Sequence, residues 1–93
     1  MAVVITADVP GGSAEFDQVM LQRLNLSQSP APGSLARIAG PTQGGWRVIS
    51  VWESQEAFDQ FRRERLEPAF QAEGRPVPQF QVWPVESVLI QQR

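Results

Sequence analysis

One junction constrains this chain more than any other stretch. Gly44-Gly45-Trp46-Arg47-Val48-Ile49-Ser50-Val51-Trp52-Glu53 reads as a turn followed by an apolar, aromatic-rich strand. It runs without a linker into Ser54, whose hydroxyl suits a helix N-cap, and then into Phe58 and Phe61, three residues apart. A strand that feeds directly into an amphipathic helix lays that helix back on its own sheet. The junction speaks to architecture and leaves the chemistry open.

The amino-acid inventory narrows the chemistry by exclusion. The chain contains no His, Cys, Lys or Tyr. A Ser-His-Asp triad, a Schiff-base lysine, a zinc–thiolate site and a histidine haem ligand therefore cannot be built. Carboxylates, arginines, hydroxyls, indoles and the backbone remain. The carboxylates show no metal-ligand spacing, so neither a metal nor a cofactor is expected.

At 93 residues the chain is expected to form a single domain spanning residues 1–93. Hydrophobic residues at 42% against charged residues at 19% favour a globular chain over a disordered one. The net charge of -2, with scattered arginines, gives no basic face for nucleic acid. Without Cys no disulfide can form. The N-terminal run Met-Ala-Val-Val-Ile-Thr-Ala-Asp lacks a basic segment and is too short in apolar residues for a signal peptide or membrane span. The expected location is the cytoplasm.

Val3–Ala7 is β-branched and apolar and predicts the first strand. Pro10-Gly11-Gly12 ends it, and Ser13 caps a helix over about Ala14–Leu26, with Glu15 and Asp17 in the first turn where the helix dipole favours anions. Phe16, Val19, Met20 and Leu24 make its apolar stripe. After a Ser- and Pro-rich loop, Leu35–Ala39 and Trp46–Glu53 predict a hairpin around Gly40–Gly45. A second helix is expected over Ser54–Gln71, kinked or restarted at Pro68, which lacks an N–H, and ended by Gly74. Phe80–Glu86 predicts the last strand, and Ser87–Arg93 a short strand or arm whose Val88, Leu89 and Ile90 need cover. The order βαββαβ, with right-handed crossovers, predicts an α+β, ferredoxin-like fold: a four-stranded antiparallel sheet with two helices on one face.

The predicted third strand is apolar on both faces, with Trp46, Val48 and Trp52 on one and Ile49 and Val51 on the other. Two helices cover only one face, and an open face that apolar is unusual for a monomer. A homodimer packed sheet to sheet is the expected solution. The alternative is a monomer whose C-terminal arm folds back over the face.

The runs Ala39-Gly40-Pro41-Thr42-Gln43-Gly44-Gly45-Trp46-Arg47-Val48 and Val51-Trp52-Glu53-Ser54-Gln55-Glu56-Ala57-Phe58 resemble the dimeric α/β-barrel superfamily. They are most similar to its small members related to antibiotic-biosynthesis monooxygenases (ABM-like proteins). Arg65-Leu66-Glu67-Pro68-Ala69 and Trp83-Pro84-Val85 also resemble that group, and the likeness covers roughly Leu35 to Glu86. It implies a dimeric barrel with a pocket between sheet and helices in each subunit, near Trp52. It also implies cofactor-free oxygenation, haem degradation or cyclisation among the activities. Two signatures are missing. The cofactor-free oxygenases often carry Asn where Val48 stands, and Asn25 is the only asparagine here. The haem-degrading members use a helix-two histidine that this chain lacks. The resemblance further places His, in the nearest small members, where Arg37 and Glu86 stand.

Candidate site residues follow. A pairing of Ala39 with Trp46 sets Arg37 opposite Val48, on the face of Ser50 and Trp52. There its guanidinium would bind an anionic oxygen or stabilise developing negative charge; the alternative is a structural ion pair. Glu86 would partner Arg37 or act as a general base; the alternative is an exposed charge at a strand end. Trp52 offers a flat face for an aromatic ring, with Ser50 and Thr6 as small polar contacts, and each has a plain core reading beside it. The Gly40–Gly45 turn lacks the Lys and following helix of a phosphate loop. The arginines and carboxylates between Asp59 and Glu67 read as a solvated helix face with local ion pairs. Three readings stay open: a small-molecule enzyme performing cofactor-free oxidation, cyclisation or isomerisation on an anionic aromatic or polyketide-like substrate; a non-catalytic ligand-binding or assembly dimer; and an arm, Ser87–Arg93, that docks onto another protein.

Overall fold

A computed structural model describes residues 1–91. In chain order the elements are β1 (Val3–Pro10), α1 (Ala14–Leu24), β2 (Ser34–Thr42), β3 (Gly45–Trp52), α2 (Gln55–Phe61), a π-helical turn (Arg62–Leu66), α3 (Glu67–Ala72) and β4 (Phe80–Pro84). The four strands form one antiparallel sheet in the order β2-β3-β1-β4. This is the ferredoxin-like α+β arrangement.

Local chemistry sets the element ends. The Ser13 hydroxyl accepts from the Phe16 N–H at 3.1 Å, and that of Ser54 from the Ala57 N–H at 3.1 Å. Each satisfies one of the amide donors that a helix start leaves free. Asn25 closes α1 in the left-handed region, at φ 55°, where its N–H reaches the Leu21 carbonyl. Asparagine tolerates that conformation better than most residues.

Pro68 acts as a restart point, and the adjustment begins upstream. The Glu67 N–H donates to the Arg62 carbonyl, one residue further back than in an α-helix. This inserts a residue and places Pro68 in the first turn of α3, where its missing N–H and fixed φ do no harm. Arg65 leaves the local ion-pair pattern expected for this face. It donates to the Leu24 carbonyl at the end of α1, at 2.5 Å. Arg62 does pair locally, with Glu67 at 2.8 Å.

The core lies between sheet and helices. Val3, Ile5, Ala7 and Val9 alternate along β1 as its buried set. Val3, Ile5 and Val9 form one core cluster with Met20 and Leu24 from α1, Phe58 and Phe61 from α2, and Phe70 from α3. Val19, expected in the α1 stripe, is exposed, and the stripe runs at four-residue intervals through Phe16, Met20 and Leu24.

The hairpin differs from expectation in a consistent way. β2 continues to Thr42 and β3 starts at Gly45, so the turn is two residues, Gln43 and Gly44, with Gly44 at φ 83°. Ala39 consequently pairs with Val48 and Arg37 with Ser50. The register is two residues from the predicted one. Because side chains alternate with a period of two, Arg37 stays on the predicted face.

β4 ends at Pro84, two residues short of the predicted end. The Val85 N–H still reaches the Ala2 carbonyl at 2.9 Å. Residues 87–91 form no strand, and Val88, Leu89 and Ile90 are 70%, 82% and 78% exposed, so they do not fold back over the open sheet face. Gln92 and Arg93, the end of the predicted arm, lie outside the described residues.

Candidate functional site

Between the helix-side face of the sheet and the helices lies a cavity of about 120 Å³. β1 contributes Ile5, Ala7 and Val9 to its walls, β3 contributes Trp46, Val48, Ser50 and Trp52, and α1 contributes Phe16, Met20 and Leu24. Phe58, Phe61 and Phe80 close the far end around Trp52. The Trp52 ring centroid is 5.6 Å from that of Phe58 and 5.1 Å from that of Phe61, and Phe58 stands edge-on to Phe80 at 5.2 Å. Edge-on and tilted rings at these separations are mutually attractive and rigid. The strand-to-helix junction thus builds one end of the cavity from three aromatic rings.

Few polar groups reach these walls. The Trp52 indole Nε1–H donates to Ser50 Oγ at 2.9 Å. That contact satisfies the buried indole and orients the serine, whose own proton stays free to donate. Arg37 projects from edge strand β2 towards α1 and meets Asp17. Its Nη1 donates to Asp17 Oδ2 at 3.4 Å and its Nη2 to Asp17 Oδ1, a two-point contact between layers. The side chains are 28% exposed for Arg37 and 12% for Asp17, so the pair is partly sheltered.

Trp46 is the unusual member. Its indole Nε1 is buried and has no hydrogen-bond partner. An unpaired buried donor costs about 1–3 kcal/mol, and native structures rarely leave one without a purpose. The backbone at Gly12 packs closely on its Cβ. A Cβ added at Gly12 would lie 2.9 Å from the Trp46 Cβ, so only glycine allows the chain to pass there.

The sequence-predicted residues divide into two groups. Arg37, Ser50 and Trp52 all line the cavity. Thr6 does not: it pairs with Ile49 and Gln81 on the open face of the sheet, because Val3, Ile5, Ala7 and Val9 hold the other parity. Glu86 is also elsewhere. It is exposed beyond the end of β4, and Arg37 takes Asp17 as its partner in its place. The two groups that sequence reasoning missed are Asp17 and Trp46. Asp17 suits the first-turn dipole so well that a second partner is not suggested. Trp46 shares parity with Ser50 and Trp52, which signals the same face.

No protein-family model matches the chain, and no curated protein sequence does. Solved structures do match. SnoaB, a cofactor-independent oxygenase from Streptomyces nogalater, superposes with a TM-score of 0.67 at 16% identity, covering 97% of each chain. A protein from Caulobacter crescentus, provisionally assigned as an antibiotic biosynthesis monooxygenase, gives 0.62 at 23% identity over 91% of this chain and 89% of that one. MhuD with two manganese protoporphyrin IX bound per active site gives 0.58 at 24% identity over the whole of both chains. The fold is that of the ABM-like proteins.

A porphyrin does not suit these walls. The cavity is about 120 Å³, and no imidazole, thiolate or phenolate exists in the chain to ligate its iron. Among the described residues no cluster of three or more metal-ligating side chains occurs, and no helix is long and apolar enough to cross a membrane.

Proposed function

We propose that this ABM-like protein binds a small planar aromatic molecule carrying an oxygen acceptor in the sheet–helix cavity. The observation that carries the reading is the buried, unpartnered Nε1–H of Trp46, a residue whose side chain lines a largely apolar cavity. A carbonyl or phenolic oxygen would satisfy it once a small turn of the indole brings the N–H to the cavity surface, while the Trp52, Phe58 and Phe61 rings would pack the ligand's aromatic body. The volume resembles that of the ~150 Å³ apolar cavity that takes up benzene. A one-ring ligand is therefore the natural size, and a larger polycycle requires the walls to part.

A binding role is favoured over catalysis by two facts: the charge of Arg37 is already met by Asp17, and Glu86, the candidate base, lies exposed outside the cavity. The alternative reading, a cofactor-free oxygenase of an aromatic substrate, is supported by the structural likeness to SnoaB. Dioxygen uptake in the presence of a one-ring hydroquinone separates the two: uptake above the protein-free rate supports the oxygenase, and binding without uptake supports the binding role.

The test of binding compares acetophenone with ethylbenzene, a ligand of the same shape without the oxygen. Trp46→Phe is expected to weaken acetophenone about fivefold, the worth of roughly 1 kcal/mol for one hydrogen bond. Ethylbenzene binding should be unchanged. Equal losses for both, or no binding of either to the wild-type protein, would remove the reading.

We further infer that the protein is a homodimer through its open sheet faces. Ile38 is 65% exposed and Trp83 46% exposed on that face, beside Ile49, Val51 and Val4. Contiguous apolar surface of this kind marks an interface. Ile38→Glu places a charge on the face at a site where the single chain loses little, within about 0.5 kcal/mol. Light scattering should then report 10.3 kDa in place of twice that mass. A wild-type mass of 10.3 kDa would refute the dimer.

A further inference from the structure

We propose that Asp17 sets the charge preference of the cavity: by occupying Arg37 it makes the site select neutral ligands over anionic ones. This rests on the reading of the cavity as a ligand site. It reverses the sequence-based expectation, in which Arg37 would hold an anionic oxygen.

Arg37 is one of two charged side chains in the walls, and the other is Asp17. The two-point contact between them uses both terminal nitrogens of the guanidinium and both oxygens of the carboxylate. Among the described residues Arg37 has no other carboxylate partner than Asp17, and no second cation is bonded to Asp17. The pair therefore presents almost no net charge to the cavity.

Consider a ligand carboxylate entering this wall. To reach Arg37 it must displace Asp17, whose side chain is 12% exposed and would be left as an unpaired anion beside Phe16 and Met20. Leaving a sheltered charge without its partner is among the costlier changes a protein can undergo. If Asp17 stays in place, the ligand carboxylate sits against a largely apolar wall whose remaining polar groups, on Ser34, Trp46 and Ser50, are neutral and replace its hydration poorly. A neutral amide, ketone or aldehyde meets neither penalty, since its desolvation cost is small and one N–H donor matches its oxygen. Both routes penalise the anion: the first because it strands Asp17, the second because, with Arg37 held by Asp17, only the apolar wall is left to meet it.

The reciprocal change is informative. Asp17→Asn keeps the shape and can still accept one hydrogen bond from Arg37, but it removes the negative charge. The guanidinium is then an uncompensated cation in an apolar wall and should recruit an anion. Arg37 cannot escape by losing its proton, because its pKa lies far above any working pH.

Benzamide and benzoate are suitable probes, being nearly identical in size and differing in charge. Calorimetry at neutral pH should show the wild-type protein binding benzamide at least tenfold more tightly than benzoate. In Asp17→Asn the ratio should move towards benzoate by tenfold or more, and the benzoate affinity should fall with added salt. A double variant, Arg37→Met with Asp17→Leu, removes both charges and keeps the apolar wall. It should prefer benzamide as the wild type does, and it supplies the comparison should Asp17→Asn fold poorly. Benzoate binding the wild type as tightly as benzamide would overturn the inference. So would an unchanged ratio in Asp17→Asn, or a double variant that prefers benzoate. In those cases the cavity reading survives, because ligands still bind. Failure of both probes to bind any of the three proteins would instead remove the cavity reading, and this inference with it.

Discussion

The two faces of the sheet are built from the same strands and differ in how they treat charge. On the helix side, β1 and β3 present Ile5, Ala7, Trp46, Val48 and Trp52, and an ion pair reaches across layers from Arg37 to Asp17. On the open side, the ion pair lies flat. Asp8 and Arg47 are direct cross-strand partners, with Arg47 Nε donating to Asp8 Oδ1 at 2.7 Å and both side chains more than half exposed. An ion pair in water contributes little, while a sheltered one fixes neighbours in place and is costly to break. The helix-side pair therefore bears on ligand choice and layer spacing, and the open-side pair on solubility and surface charge pattern.

That contrast can be broken most severely at the aromatic end of the cavity. Trp52 is 3% exposed and contacts Phe58 and Phe61. Trp52→Ala should cost about 3–5 kcal/mol, read as a lower denaturant midpoint at an unchanged m-value. A loss below 1 kcal/mol would mean that the rings merely touch and do not support one another.

Next in size is the sheltered pair. Arg37→Ala strands Asp17 and should cost about 1–2 kcal/mol, less than the ~3–5 kcal/mol of a fully buried pair because both side chains keep some solvent contact. The matching change Arg47→Ala on the open face should leave the denaturant midpoint where it is. Equal effects at the two sites would erase the distinction between the faces.

The smallest effect is in pH. The hydrogen bond from Arg47, opposed by desolvation and aided least by the arginine's charge, holds the Asp8 carboxyl below its ordinary value of 3.8. A carboxyl depressed in the folded state lends stability above its unfolded value, and loses it as pH falls through the folded value. The Asp8–Arg47 contribution should thus be complete above about pH 3.8 and fade below it. A carbon-detected NMR titration of Asp8 gives the midpoint, and Arg47→Gln should move it upward. A midpoint at or above the ordinary value would contradict the pairing.

Much of this architecture was legible in the chain. Ser13 and Ser54 announce both helix starts because capping is a short-range effect. Pro68 announces a helix restart for the same reason, although the π-helical turn that accommodates it begins at Arg62, where no residue signals it. The face of Arg37 followed from alternation alone and survived a two-residue register change. The same rule places Thr6 opposite, by the parity of Ile5 and Ala7. Glu86 was unreachable by alternation, since Pro84 ends the ladder before it. Asp17 lay beyond any local rule: it and Arg37 are twenty residues apart, on different layers, and nothing in either neighbourhood names the other. The missing partner of Trp46 is likewise a property of packing, and sequence carries no trace of it.

The most direct measurement of the central claim is the indole N–H spectrum of the protein labelled with nitrogen-15. Three tryptophans give three resonances, and Trp46→Phe assigns the one that matters. On titration with benzamide the account predicts a downfield shift of the Trp46 Nε1–H proton as it gains an acceptor, with the Trp52 signal, already bonded to Ser50, moving less. A Trp46 resonance that stays in place while ligand binds elsewhere, or while none binds, would contradict it.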